Sequence, residues 1–156
     1  MKYSYLPLFI LFLFVSCSTE EEPEVIPEPE PTTFLEKYDN TIWDNSTDKR
    51  LGFSNDTSRF LVQVPLVGDC IFFSDNTSFE ADDGVYSINI ETNIPSEFIW
   101  TLTFTRGENY SRNTYIITES NDVLTVETIT SRNDETLGEE SIDYKLLLGT
   151  LDSYCN

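Results

Sequence analysis

Apolar and polar residues alternate with period two through most of the chain beyond residue 40, and that alternation predicts strands rather than helices. The clearest run is Phe98-Ile99-Trp100-Thr101-Leu102-Thr103-Phe104-Thr105, which sets Phe98, Trp100, Leu102 and Phe104 on one face and Thr101, Thr103 and Thr105 on the other. Such a strand buries one side and leaves the other half wet. Similar runs rich in β-branched and aromatic residues predict strands over 41–44, 50–54, 59–65, 69–74, 84–92, 112–118, 122–131 and 141–148, about nine in all. Turn-forming clusters separate them, at Ser74-Asp75-Asn76-Thr77, Asp82-Asp83-Gly84, Arg106-Gly107-Glu108-Asn109, Ser120-Asn121-Asp122 and Ser131-Arg132-Asn133-Asp134. The intervals are too short for crossover helices, so the strands are expected to pair antiparallel as a meander.

One segment reads as helical. Thr33-Phe34-Leu35-Glu36-Lys37-Tyr38 offers a threonine N-cap with a glutamate three residues on, a short capping box leading into the first strand. No fixed period repeats, which excludes solenoids and propellers. Residues 34–156 suffice for one compact domain with its own core. Eight or nine antiparallel strands in that length must close into a barrel or fold as a two-sheet sandwich, and the all-β reading keeps both.

The N-terminus follows a different rule. Lys2 is followed by an apolar run from Leu6 to Val15, then by small Ser16 and Cys17. Ten apolar residues are too few to span a bilayer, which takes about 20, but they suit a signal peptide over 1–16. Phe14-Val15-Ser16-Cys17 resembles the lipobox of bacterial lipoproteins, with Phe14 where that family usually carries leucine. The resemblance implies acylation of Cys17, with palmitate-type chains anchoring the mature protein to the membrane. Residues 18–33 hold six Glu, four Pro and no basic residue, a composition that stays extended and solvated, so 17–33 is read as a lipidated tether. An acidic cluster directly after the lipidated cysteine also resembles the surface-export signal of Bacteroidetes lipoproteins, which implies display at the outer-membrane surface.

With Cys17 acylated, Cys70 and Cys155 remain as an even pair in an oxidising compartment, and a disulfide between them is expected. Closing so long a loop contributes roughly 4–5 kcal/mol in the chain-entropy description, and the bond would tie down the C-terminus.

Charge and composition exclude more than they assign. The chain carries nine Lys and Arg against 28 Asp and Glu, a formal net charge of −19, which argues against nucleic acid and anionic membrane surfaces as partners. It suits a cationic protein partner, and equally plain solubility. There is no histidine, which removes Ser-His and Cys-His catalysis and the commonest metal ligand together. No nucleophile elbow, phosphate loop or paired-cysteine zinc motif is present. The carboxylate pairs Asp82 with Asp83 and Glu139 with Glu140 read as solvated turns. Asp44, Ser46 and Asp48 alternate oxygens as a calcium loop does, but the glycine and distal glutamate of that motif are missing. No enzymatic activity, cofactor or metal is expected. The sequons at Asn45, Asn55, Asn76 and Asn109 read as turn chemistry.

A short N-terminal helix, a tryptophan on the first strand at Trp43 and a meander of strands together resemble the lipocalins and lipocalin-like barrels. A C-terminal disulfide reaching a strand in the first half, as Cys155 to Cys70 would, also fits that family. The first strand departs from the family pattern, with Thr41 where glycine usually stands, and no large helix follows the last strand. The nearest resemblance is to the small lipocalin-like lipoproteins of Bacteroidetes. It implies a barrel that holds a small apolar or amphipathic ligand, and the aromatics on apolar strand faces, Phe72, Phe98, Trp100, Tyr115 and Tyr144, are the candidates to line it. The alternative is an interaction or inhibitor module with no small-molecule ligand, whose acidic surface docks a cationic partner; on either reading a monomer is expected.

Overall fold

The computed structural model describes residues 29–65, 69–81 and 83–155. The signal segment, Cys17, most of the tether and Asp82 lie outside the described residues. Helix α1 (Phe34–Lys37) leads into β1 (Thr41–Asp44), β2 (Arg50–Phe53), a short 3-10 turn (Thr57–Arg59), β3 (Leu61–Gln63) and β4 (Ile71–Phe73). Then follow β5 (Thr77–Ala81), β6 (Gly84–Ile94), β7 (Glu97–Arg106), β8 (Asn109–Ser120), β9 (Val123–Arg132), β10 (Glu135–Leu147) and α2 (Leu151–Tyr154). Among the described residues no helix is long and apolar enough to cross a membrane.

The expected all-β antiparallel meander is what the chain adopts, as one ten-stranded sheet ordered β4-β3-β2-β1-β10-β9-β8-β7-β6-β5. The order is circular: β1 pairs antiparallel with β10, joining the two ends of the meander. The ladder is interrupted at one seam, between the consecutive strands β4 and β5. The sheet curls until both flanks of that seam share an interior. Phe73 on β4 lies 5.3 Å from Trp100 on β7, and Phe53 on β2 lies 6.4 Å from Phe98, ring centre to ring centre.

The hairpins close with the residues that their turns demand. Asn121 and Asp122 have φ of 54° and 62°, and Asn133 and Asp134 have 46° and 68°, the paired positive angles that two-residue turns need to match strand twist. Gly107, with φ of 60°, turns β7 into β8. Asn76 (φ 52°) serves the turn before β5.

β5 is a strand that the alternation did not predict. Thr77-Ser78-Phe79-Glu80-Ala81 has one large apolar residue, because this edge strand faces solvent on most of its length. β10 also starts six residues before its predicted 141, and β8 three before its predicted 112. These added segments are polar because they project past the core. β1 to β4 are three or four residues long, whereas β6 to β10 are ten to thirteen. The long strands therefore rise beyond the short ones as a curved blade whose inner face is uncovered.

The main core fills the lower part of the curl. Phe34 from α1 sits fully buried among Phe53, Phe98 and Tyr38, while Phe60 bridges Phe98 to Trp100. α1 starts at Thr33, whose hydroxyl accepts from the Glu36 N–H at 3.1 Å. The Glu36 carboxylate takes its bonds from Thr32, N–H at 2.7 Å and hydroxyl at 2.9 Å, so the expected capping box is shifted by one residue on its return arm. Burial of Phe34 explains why so short a helix holds: four residues have little intrinsic helical stability.

A second apolar cluster lies on the outer face of β1 and β3, where Ile42, Val62 and Val64 are covered by Leu151 of α2. The approach is close because β2 carries Gly52 there; a Cβ at that position would stand 2.5 Å from Leu151 Cδ1. Cys70 and Cys155 are joined as a disulfide across 85 residues, holding α2 against this face.

Candidate functional site

Above the aromatic core, the inner faces of β2 to β4 and β7 to β10 line a cavity of about 270 Å³ that is open on one side. Register alone decides which side chains reach it. Trp100 opposes Tyr115, which opposes Thr128, which opposes Glu140, so one row of side chains crosses four strands on the inner face. The next row towards the core brings Ile117, Val126 and Ile142, and beyond it Tyr144 pairs with Leu124. Leu51, Leu61 and Phe73 supply the facing wall, with Lys49 and Gln63 at the rim.

Of the aromatic residues expected to line a cavity, Trp100, Tyr115 and Tyr144 do so. Phe98 lies one row deeper, fully buried against Phe34, and belongs to the plug beneath. Phe72 points the other way: it is 45% exposed, on the outer face of β4 near Cys155, while its neighbour Phe73 turns inward. The run Ile71-Phe72-Phe73 has no polar partner to mark its faces, so its phase is set by pairing with β3. Lys49, Gln63, Thr128 and Glu140 escaped sequence reasoning because rim residues are polar and resemble any loop or solvent face.

Trp100 is the centre of the site. Its indole stacks on Tyr115 with ring centres 4.2 Å apart and 8° between planes. The residue is 3% exposed, yet its Nε1–H has no hydrogen-bond partner. By contrast, the Nε1–H of Trp43 donates to Thr41 Oγ1 at 3.1 Å. Buried indole donors usually find an acceptor, and leaving one unmet costs roughly 1–3 kcal/mol. Burial raises the Tyr115 hydroxyl above its ordinary pKa. Burial does the same to Tyr144, with the Glu140 and Asp48 carboxylates adding to it. Both phenols stay protonated and able to donate at neutral pH.

The lower end of the curl is shut by polar contacts as well as by Phe34. The Tyr38 hydroxyl donates to Glu119 Oε2 at 2.9 Å, and Lys37 Nζ stands 3.4 Å from the same oxygen. The Leu35 N–H donates to Asn93 Oδ1 at 3.1 Å. Entry to the cavity is therefore at the rim, away from the chain's N-terminal approach.

Other chemistry considered in the sequence does not assemble. Glu139 and Glu140 are consecutive strand residues, so they face opposite sides of β10, and only Glu140 reaches the cavity. Asp44 is used locally, accepting from the Ser46 N–H at 3.1 Å and approaching Arg50 at 3.9 Å. Asn45 accepts from the N–H groups of Thr47, Asp48 and Lys49, the turn role expected of it. Among the described residues there is no cluster of three or more potential metal ligands.

Fold and site together define an antiparallel meander, curled around an aromatic-lined cavity and plugged at one end. No protein-family model, no curated protein and no solved structure matches the chain.

Proposed function

We propose that the protein is a lipid-anchored, lipocalin-like binding module of the outer membrane that takes a small apolar or amphipathic ligand into the cavity beside Trp100. The observation that carries this reading is the unpartnered Nε1–H of Trp100 within the aromatic wall of that cavity. A site with mainly apolar, aromatic walls and a few polar groups is the usual form of a small-molecule pocket. At about 270 Å³ the cavity sits just below the usual range of ~300–1,000 Å³, which points to a small ligand or to one that extends beyond it.

The direction of the chain supports display on a tether. Residues 29–33 lead into α1 at the plugged end, so the chain enters the domain on the side away from the rim and leaves the rim free of it. A surface role, acylation of Cys17 and the absence of catalysis belong to this same proposal.

Native mass spectrometry of the mature protein purified from its own source tests the reading. A reproducible non-covalent adduct, lost when Trp100 is replaced by Phe, is the expected result. A bare chain that also fails to take up any hydrophobic probe in a fluorescence titration overturns it and favours the docking module with an acidic surface.

A further inference from the structure

Further along β7, β8 and β9, on the same face as the cavity beside Trp100, lies a second groove on the uncovered part of the blade. That groove, about 410 Å³, is lined by Phe104, Arg106, Asn109, Tyr110, Ser111 and Arg132. Trp100 and Phe104 lie on β7, Tyr115 and Ser111 on β8, and Thr128 and Arg132 on β9, each pair four residues apart and on the same face. At about 3.3 Å per residue, the two spaces are centred roughly 13 Å from one another along the strands. In the intervening row Thr130 donates to Asn113, and Gly138, opposite Thr130, would have a Cβ that meets nothing within 4 Å, so that row leaves open space on the β10 side.

The two ends differ in charge. The cavity lining holds one cation, Lys49, and one carboxylate, Glu140, whereas the groove lining holds two arginines and no carboxylate. The groove gathers two of the chain's nine basic residues, and Arg106 is paired with Asp83 while Arg132 takes part in none of the ion pairs found among the described residues. Glu135, opposite Arg132 in the register, is not within ion-pairing distance of it. Asp134 accepts from the Tyr110 hydroxyl. A guanidinium outside every ion pair found among the described residues, in a groove lined by Phe104 and by no carboxylate, suits an anion, since arginine reads carboxylates and phosphates through a planar fork.

We infer that the ligand is an anionic amphiphile lying across both spaces, its apolar part in the cavity at Trp100 and its acidic head on Arg132, with Arg106 beside it. This rests on the binding reading above and adds the head group, its position and the ligand's length. The cavity lining, with Lys49 and Glu140, carries no net charge, whereas the groove lining carries two arginines and no carboxylate, which favours the far end.

Dodecanoate and its neutral counterpart 1-dodecanol, titrated into the mature protein with tryptophan fluorescence and amide chemical shifts as readouts, separate the two levels. Dodecanoate is expected to bind at least about fivefold tighter than dodecanol and to shift the amides of Ser111 and Arg132 as well as those near Trp100, a difference in line with one charge-assisted hydrogen bond. Arg132→Gln should abolish that preference while leaving dodecanol affinity and the circular dichroism spectrum unchanged. Gly138→Leu, which fills that open space, should weaken dodecanoate about fivefold or more and leave hexanoate, too short to span it, unaffected. Equal binding of acid and alcohol to the unmodified protein, or a preference that survives Arg132→Gln, overturns the head-group assignment and leaves the cavity reading standing. Failure of either compound to perturb Trp100 overturns both.

Discussion

Phe34 in the first helix stacks on Phe98 in β7, ring centres 5.7 Å apart and 17° between planes, and this contact shuts the lower end of the sheet. A helix of four residues is thereby made part of the core. Phe34 also meets Phe53 edge-on at 5.4 Å and Tyr38 at 4.5 Å, so its ring is the common neighbour of three aromatics.

Phe34→Ala is expected to cost about 3–5 kcal/mol, as deletion of a fully buried aromatic ring does. Urea unfolding followed by tryptophan fluorescence should show the extrapolated unfolding free energy fall by that amount. A loss under about 1 kcal/mol would mean that α1 is not seated on the core in solution.

The Glu119 carboxylate is held below its usual range by the Asp122 backbone N–H, then by the Tyr38 hydroxyl and Lys37. A carboxylate whose folded pKa is depressed stabilises the fold above its unfolded value, and the contribution is lost as pH falls through the folded one. Comparing the unfolding midpoints of the unmodified protein and Glu119→Gln between about pH 6 and pH 3 should show a gap that closes on acidification. A gap that widens instead would contradict the geometry at Tyr38 and Asp122.

Loss of the Cys70–Cys155 disulfide removes a closure of 85 residues. Paired Cys70→Ser and Cys155→Ser substitutions should destabilise the domain by roughly 4–5 kcal/mol in the chain-entropy description. Amide exchange should accelerate first over α2, because Leu151 loses its tie to Ile42 and Val62. Unchanged exchange at 151–154 would show that packing over Gly52 suffices to hold the helix.

Trp100→Phe keeps most of the buried ring and removes the unmet donor, whose burial costs about 1–3 kcal/mol. The ligand-free variant should therefore unfold within about 1 kcal/mol of the unmodified protein, whereas Trp100→Ala should lose about 3–5 kcal/mol. If the two variants are equally destabilised, the indole N–H has an acceptor in solution.

Cys17→Ala should move the protein from the membrane fraction to the soluble fraction. Stable anchoring needs more than one acyl chain, and nothing else in the tether supplies it. Continued membrane partitioning would overturn the lipoprotein reading.

The parts of the fold that were legible share one property: their side chains carry a local record of where they sit. Phe98 to Thr105 alternates because one face of β7 is buried, and Asn121-Asp122 and Asn133-Asp134 mark turns because those residues tolerate positive φ. β5 and the first half of β10 carry no such record. Thr77 to Ala81 and Glu135 to Glu140 project past the core, where polar residues occupy both faces and period two disappears. α2 was missed for a related reason: Leu151-Asp152-Ser153-Tyr154 is too short for a helical period, and it is held by Gly52 and by Cys155, both remote from it in chain or in kind.

The sequence by itself determined the strand-rich chain, most of its hairpins, the start of α1 at Thr33 and the pairing of the two cysteines beyond Cys17, because each depends on residues close in the chain or on simple counting. Tertiary structure alone decided that β1 meets β10, that Phe73 faces inward and Phe72 outward, and that Trp100 shares an inner row with Tyr115, Thr128 and Glu140. Those outcomes rest on register between strands, and a slip of one residue would turn every one of these side chains to the opposite face. The cavity, its unmet indole donor and the groove at Arg132 exist only once that register is fixed.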